Sequence, residues 1–269
     1  MWYRGAETMN YLRLYKKYLL IQLQGMMQYK TSFVLTAIGQ FLVSFNVFLG
    51  VYFMFQRFHE VDGFTYSEVL LCFGITLMEF TLAEAFARGF DTFPGIVRSG
   101  EFDRIMVRPR NEIFQVLASR IELTRVGRMF QAVIMFVYGI SESQVQWSFS
   151  KVLAVIFMLI GGTAVFTGIF LIYASLCFFT IEGLEFMNVL TDGAREYGKY
   201  PVSVYGKQVL KFCTFVVPYA LIQYYPLCYL LERDSRWWYP ALPLAAAAFL
   251  IPCYGLWRLG VRHYKSSGS

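Results

Sequence analysis

Two carboxylates and three guanidiniums stand where a chain of this composition can least accommodate charge. Glu79 and Glu84 lie inside the apolar run 68–87, and Arg120, Arg125 and Arg128 lie in the first half of the run 113–140. An ionisable group in hydrocarbon needs a counter-charge or a water-filled path, so these five residues are the first candidates for chemistry. Their depths match in pairs. At 1.5 Å per residue, Glu84 falls about 5 Å and Glu79 about 12 Å inside the near end of its helix, and Arg125 and Arg128 fall about 6 and 10 Å inside theirs. The expected arrangement is Glu84 with Arg125 or Arg120, and Glu79 with Arg128, holding two helices together. The alternatives are functional: Glu79 faces a transport path and attracts a cationic substrate, or both glutamates carry protons for an ion-coupled carrier.

Other chemistries find no residues to carry them. Cys72, Cys177, Cys213, Cys228 and Cys253 all fall in apolar surroundings with no CxxC pair, which predicts buried packing rather than disulfides. His59 and His263 are too few and too far apart in sequence for a zinc site or a histidine relay, so no metal is expected. The Gly-Lys pairs, Gly198-Lys199 and Gly206-Lys207, are followed by Tyr and Gln, so no GxxxxGK[ST] phosphate cradle exists and the chain carries no nucleotide of its own. A membrane-embedded enzyme is disfavoured for the same lack of a workable His, Cys or paired-carboxylate cluster.

The elements that must position the five charges are membrane helices. Apolar residues make up 57% of the chain and charged ones only 16%, against about 25% charged in soluble domains, and the mean hydropathy is +0.47. This balance excludes a disordered chain, a small disulfide scaffold and an ordinary cytosolic enzyme. Stretches near the roughly 20 residues a bilayer requires are predicted at 33–55, 68–87, 113–140, 152–179, 206–231 and 239–257. Within them Gly161, Gly162 and Gly168 are candidates for close helix packing. Pro218 and Pro226 break the fifth stretch, either as a gate with Tyr224 and Tyr225 or as a fixed bend. Ahead of the first stretch, residues 1–32 include Leu12, Tyr15, Leu19, Leu23 and Met26 at helical spacing, with Arg13, Lys16 and Lys17 on another face. This reads as a helix lying on the membrane surface, or as a continuation of the first span.

The net charge of +6 is a matter of topology, with no nucleic acid implied. With six spans, all of the 24 basic residues except Arg57, Lys151, Arg233 and Arg236 fall on one side, which predicts both termini in the cytoplasm. Trp147, Trp237, Trp238 and Tyr239 mark the opposite boundary as interfacial aromatics. Glu182 and Glu185 follow the fourth span near Arg195, in a solvated interfacial position. The fold expected is therefore all-α, a polytopic membrane protein in which 1–269 form one transmembrane domain.

The connection 88–112 is the informative loop. It mixes apolar Phe93, Ile96, Val97, Phe102, Ile105 and Met106 with charges, and Pro94, Gly95 and Pro109 punctuate it. Such a pattern suits a short helix packed in a protein groove, or a solvated connection.

Within this loop, Ser99-Gly-Glu-Phe-Asp-Arg-Ile-Met-Val-Arg-Pro-Arg resembles the GELD-x-LL-x-RP signature of ABC-2 type transporter permeases, in the branch that includes bacterial drug and viologen exporters. Arg110 departs from the apolar residue that often follows the proline. Tyr200-Pro-Val-Ser-Val-Tyr, Val217-Pro-Tyr-Ala and Tyr225-Pro-Leu through Leu231 are similar to a second pattern of that branch. The resemblance implies a permease subunit of the bacterial inner membrane that pairs with a second permease and is driven by separate ATPase subunits holding ATP and magnesium. It also implies that the loop is a cytoplasmic coupling helix seated in the ATPase, with Phe93, Ile96, Arg98, Glu101, Phe102 and Asp103 as contacts. The expected activity is export of a hydrophobic or amphipathic small molecule, with an ion-coupled carrier and a membrane enzyme as the alternatives.

Overall fold

The computed structural model describes residues 11–143, 145–180 and 189–265, without the side chains of residues 192, 194 and 195. Glu182 and Glu185, and the side chain of Arg195, lie outside the described residues. No strand occurs among the described residues; the backbone is helical except at short connections and one isolated bridge between Val61 and Phe64.

The organising element is α3 (Tyr66–Asp91), buried along almost its whole length. Its start is fixed by a capping box, in which the Thr65 amide donates to Glu68 Oε2 at 2.8 Å. On one side it packs against α7 (Val126–Glu142) and on another against α8 (Phe149–Thr180). Close approach to α7 needs glycine: a Cβ on Gly74 would stand 2.9 Å from the backbone nitrogen of Phe136. Along α8, a Cβ on Gly161 would overlap the carbonyl of Pro243 and one on Gly162 the carboxyl of Glu79, while one on Gly168 would stand 3.1 Å from Cys253 Sγ. These three positions thus admit α13 (Leu242–Ala246), a buried acid and α14 (Leu250–His263), respectively.

Among the described residues, four segments are long and apolar enough to cross a bilayer: α2 (Lys30–Arg57), Tyr66–Arg98, α8 and Tyr239–His263. The two other expected spans are built from shorter pieces. The stretch 113–140 divides into α6 (Glu112–Ser119) and α7, separated by extended Arg120 and a single 3-10 turn, Leu123–Arg125. The stretch 206–231, which follows α9 (Asp192–Tyr197), divides into α10 (Lys207–Phe215), α11 (Tyr219–Ile222) and α12 (Tyr224–Leu230).

These last pieces do not form the single span expected at 206–231. Ser203 Oγ donates to Asp62 at 2.9 Å, and Arg233 donates to the Gly63 carbonyl at 2.6 Å and pairs with Glu68 at 2.7 Å. Both flanks of the segment therefore meet the α2–α3 connection. Between them the chain descends to Tyr219, whose ring lies 5.6 Å from Phe166, and returns, with Thr214 bonded to Tyr225 across the two limbs at 3.3 Å. The physical reason is the proline pair: Pro218 has no N–H to continue α10, so the helix ends and reverses there, and Pro226 fits in the first turn of α12. Phe178 packs on Phe93, beyond the Asp91 end of α3, whereas Ser203 is at the α2–α3 end.

The N-terminal helix is separate from α2. α1 (Tyr11–Gln28) ends at Tyr29, which has φ −113° and ψ 58°, and has no buried residue. It lies along α6, with Tyr11 and Tyr15 against the ring of Phe114. Gln22 donates to the Ala118 carbonyl at 3.0 Å and accepts from the Ile121 amide at 2.6 Å, satisfying backbone freed by the break after α6. Of the expected boundary aromatics, Trp237 is 86% exposed, but Tyr239 is buried beneath Tyr225 and bonded to Asp234 at 3.0 Å.

Candidate functional site

The break between α6 and α7 determines the charge cluster. Glu122 donates its backbone N–H to the Ala85 carbonyl at 2.9 Å, and the 3-10 turn then aims two guanidiniums at α3. Glu84 Oε1 accepts Arg125 at 2.8 Å and Arg88 at 3.2 Å, while its Oε2 accepts Arg128 at 2.5 Å. Arg128 also donates to Gln40 of α2 at 2.7 Å, and Arg88 also pairs with Asp91 at 2.5 Å. One buried carboxylate therefore ties α3 to α7 and, through Arg128, to α2.

Two of the expected pairings differ. Arg128 stands level with Glu84, not Glu79, because α7 begins only at Val126 and does not continue straight from α6. Arg120 lies on the extended break and pairs with Glu122 at 3.5 Å. Glu79 is wholly buried, and neither of its carboxyl oxygens has a hydrogen-bond partner among the described residues. It is seated against Gly162 of α8.

The second region is the connection beyond α3. It forms α4 (Phe93–Arg98) and α5 (Glu101–Met106), joined at Gly100 with φ +69°, a left-handed conformation that suits glycine. Phe93 and Phe102, expected to contact an ATPase, are both 0% exposed. They pack on each other at 5.3 Å and on Phe178 and Trp257, and Phe102 also meets Tyr264 at 5.0 Å. The reason is spacing: Phe93 and Val97, then Phe102 and Ile105, each fall on one helical face, and that face is spent inside the chain. Ile96 is partly buried against this cluster. Asp103 lies beside Tyr264, whose phenol is pushed up by burial first and then by that negative charge. Arg98 and Glu101 remain exposed, together with Arg104, Met106, Val107 and Arg108. Val107 is 83% exposed, a contact candidate that the sequence pattern could have revealed because it falls just past the end of α5.

The third region is the α10–α12 hairpin. Pro218 stands at its turn, and Tyr224 and Tyr225 pack edge to face at 5.3 Å in its returning limb. The proline and tyrosine positions thus come together. At the end of α3 where the hairpin closes, Lys151 pairs with Glu232 at 2.6 Å and Arg233 lies 4.0 Å over the ring of Phe64. These two clasps carry no signal in the sequence, since Glu232, Arg233 and Phe64 lie in connections without periodicity.

Long apolar helices around buried charge clusters define a multi-pass membrane protein, one whose polar residues are concentrated in a few helix-to-helix ties. A model of the ABC-2 family of transporter proteins matches residues 41–268, and the chain belongs to that family. It is thus a permease of the ABC transporter type, a transmembrane subunit of a kind that typically works with an ABC ATPase. No curated protein and no solved structure matches the chain.

Proposed function

We propose that the chain is the membrane subunit of an ATP-driven exporter in the bacterial cytoplasmic membrane, acting with a second permease and with separate ATPase subunits that hold ATP and magnesium. Its cargo is a hydrophobic or amphipathic small molecule, a drug, lipid-like or cationic compound as in the drug and viologen branch. In this reading six segments cross the membrane and both termini are cytoplasmic.

The observation that carries the proposal is the α4–α5 pair. Its apolar face is anchored to α8 and α14 by Phe93 and Phe102, and its outward face presents Arg98, Glu101 and Val107. A push received on that outward face passes into α3, α8 and α14 through packed aromatic rings. This is the mechanical requirement for alternating access driven by an ATPase. The test is co-purification of the chain with its ATPase, followed by ATP-dependent transport in proteoliposomes. Arg98→Ala/Glu101→Ala/Val107→Ala should lose ATPase capture and transport while keeping the melting temperature of the wild type. Transport by the permease alone without ATP would sink the proposal.

One observation favours a second reading. Glu79, an acid buried without a hydrogen-bond partner, is what an ion-coupled carrier would use as a proton site. Uptake driven by a pH gradient in the absence of ATP, abolished in Glu79→Gln, is the outcome that would select it.

A further inference from the structure

The hairpin encloses a cavity of about 470 Å³ between its descending limb, the chain rising through Gly198 to Tyr205, and the flanks of α3 and α8. Sites for small molecules run from about 300 to 1,000 Å³, and a cavity of about 150 Å³ accommodates one benzene. The space therefore suits about three rings. Its wall contains Phe166, Tyr197, Tyr205, Phe212 and Tyr219, with Val209 and Ile222 between them, and among the described residues no Asp, Glu, Lys or Arg lines it.

The polar groups that reach it are already committed. Gln223, on the inner side, donates to the carbonyls of Gly198 at 3.0 Å and Tyr200 at 3.2 Å and to Thr76 Oγ1 at 3.4 Å, and its Oε1 accepts the Val202 amide at 3.2 Å. The Tyr205 hydroxyl donates to the Tyr197 carbonyl at 3.1 Å, and that of Tyr219 to the Leu190 carbonyl. Those bonds hold two aromatic walls in place, and the described wall offers no charged side chain to balance a charged ligand. Buried in this way, an apolar ring gains dispersion and edge-to-face contacts without ordering the wall.

We infer that this cavity is a binding site for an uncharged, ring-bearing apolar molecule, held within a single permease chain. As a resting place for the exported compound it depends on the transport reading. Binding itself is measured on the purified full-length chain without ATPase or ATP, so the two can fail separately.

Cys213 lines the cavity, whereas Cys228 lines a different pocket beside Arg233 and Tyr239. The probe is N-phenyl-1-naphthylamine, uncharged and three-ringed, and the readout is N-ethylmaleimide modification at each cysteine, resolved by peptide mass spectrometry. The probe should slow labelling of Cys213 saturably and leave Cys228 unchanged. Val209→Trp, which fills the space from a wall residue that is 40% exposed, should raise the protecting concentration by about tenfold or more, the equivalent of about 1.4 kcal/mol. Phe212→Ala, which enlarges the cavity instead, should weaken protection without removing it. The proposal falls if the wild type shows no saturable protection, if folded Val209→Trp is protected at the same concentration, or if the cation tetraphenylphosphonium protects Cys213 better than the neutral probe.

Discussion

Glu84 and Glu79 stand five residues apart on α3, both buried, and their surroundings are opposite. Glu84 is met by Arg88, Arg125 and Arg128, which use both of its oxygens. Glu79 meets no cation and no hydrogen-bond donor among the described residues, only the space that Gly162 leaves open. A carboxylate that neutralises an excess of arginine holds the fold together, whereas one that is buried without a partner costs stability and persists for some other reason. The same side chain on the same helix is therefore a structural tie at one level and a candidate for function at the other.

The largest effect should come from breaking the tie. Glu84→Ala leaves Arg125 and Arg128 facing each other in a site where their side chains are 12% and 5% exposed, and losing one partner of a buried pair costs about 3–5 kcal/mol. The detergent-purified chain should melt far below the wild type or fail to accumulate. A loss equal to that of Glu79→Ala would erase the distinction between the two acids.

Next is the seat of Glu79. Gly162→Ala places a methyl where the Glu79 carboxyl lies and should cost about 1–3 kcal/mol from overpacking. Adding Glu79→Ala should restore most of that loss. If the double variant is no more stable than the sum of the singles, the two residues are not in contact. Glu79→Met should act in the other direction: a buried polar group without a partner costs about 1–3 kcal/mol, so a side chain of similar length without the acid should leave the melting temperature unchanged or raise it. ATP-dependent transport falling while stability rises would mark Glu79 as functional. A fall in stability like that of Glu84→Ala would instead show that Glu79 finds its partner in the assembled transporter.

How much of this could be read from the chain depends on how local the cause is. The apolar runs predict α2, α3 and α8 because a membrane helix is a local property of composition, and Glu84 with its arginines stands out because charge inside such runs is scarce. The buried face of α4 and α5 has no such local cause. Phe93 and Phe102 look like docking residues in a loop, and only the positions of Phe178, Trp257 and Tyr264, far along the chain, show that they are anchors. The hairpin fails to announce itself for a similar reason. Residues 206–231 are long and apolar enough to span, and nothing local says that Ser203 and Arg233 both return to the α2–α3 connection.

The smallest effect is expected at Arg120, and it tests the break in the third apolar stretch. Arg120 and Arg128 occupy one predicted helix, and a continuous helix from residue 113 would give both access to α3. In the structure Arg120 is extended, with φ −143° and ψ 121°, its side chain is 55% exposed, and its ion pair with Glu122 spans 3.5 Å. An exposed pair of this kind contributes roughly 0–1 kcal/mol, so Arg120→Ala should shift the melting temperature little, whereas Arg128→Ala leaves Glu84 short of its 2.5 Å partner and Gln40 without its donor. If Arg120→Ala instead costs as much as Arg128→Ala, the chain closes into one helix across 120–122 in the membrane. Arg120 would then turn toward Glu84, the partner that depth along an unbroken helix assigns to it.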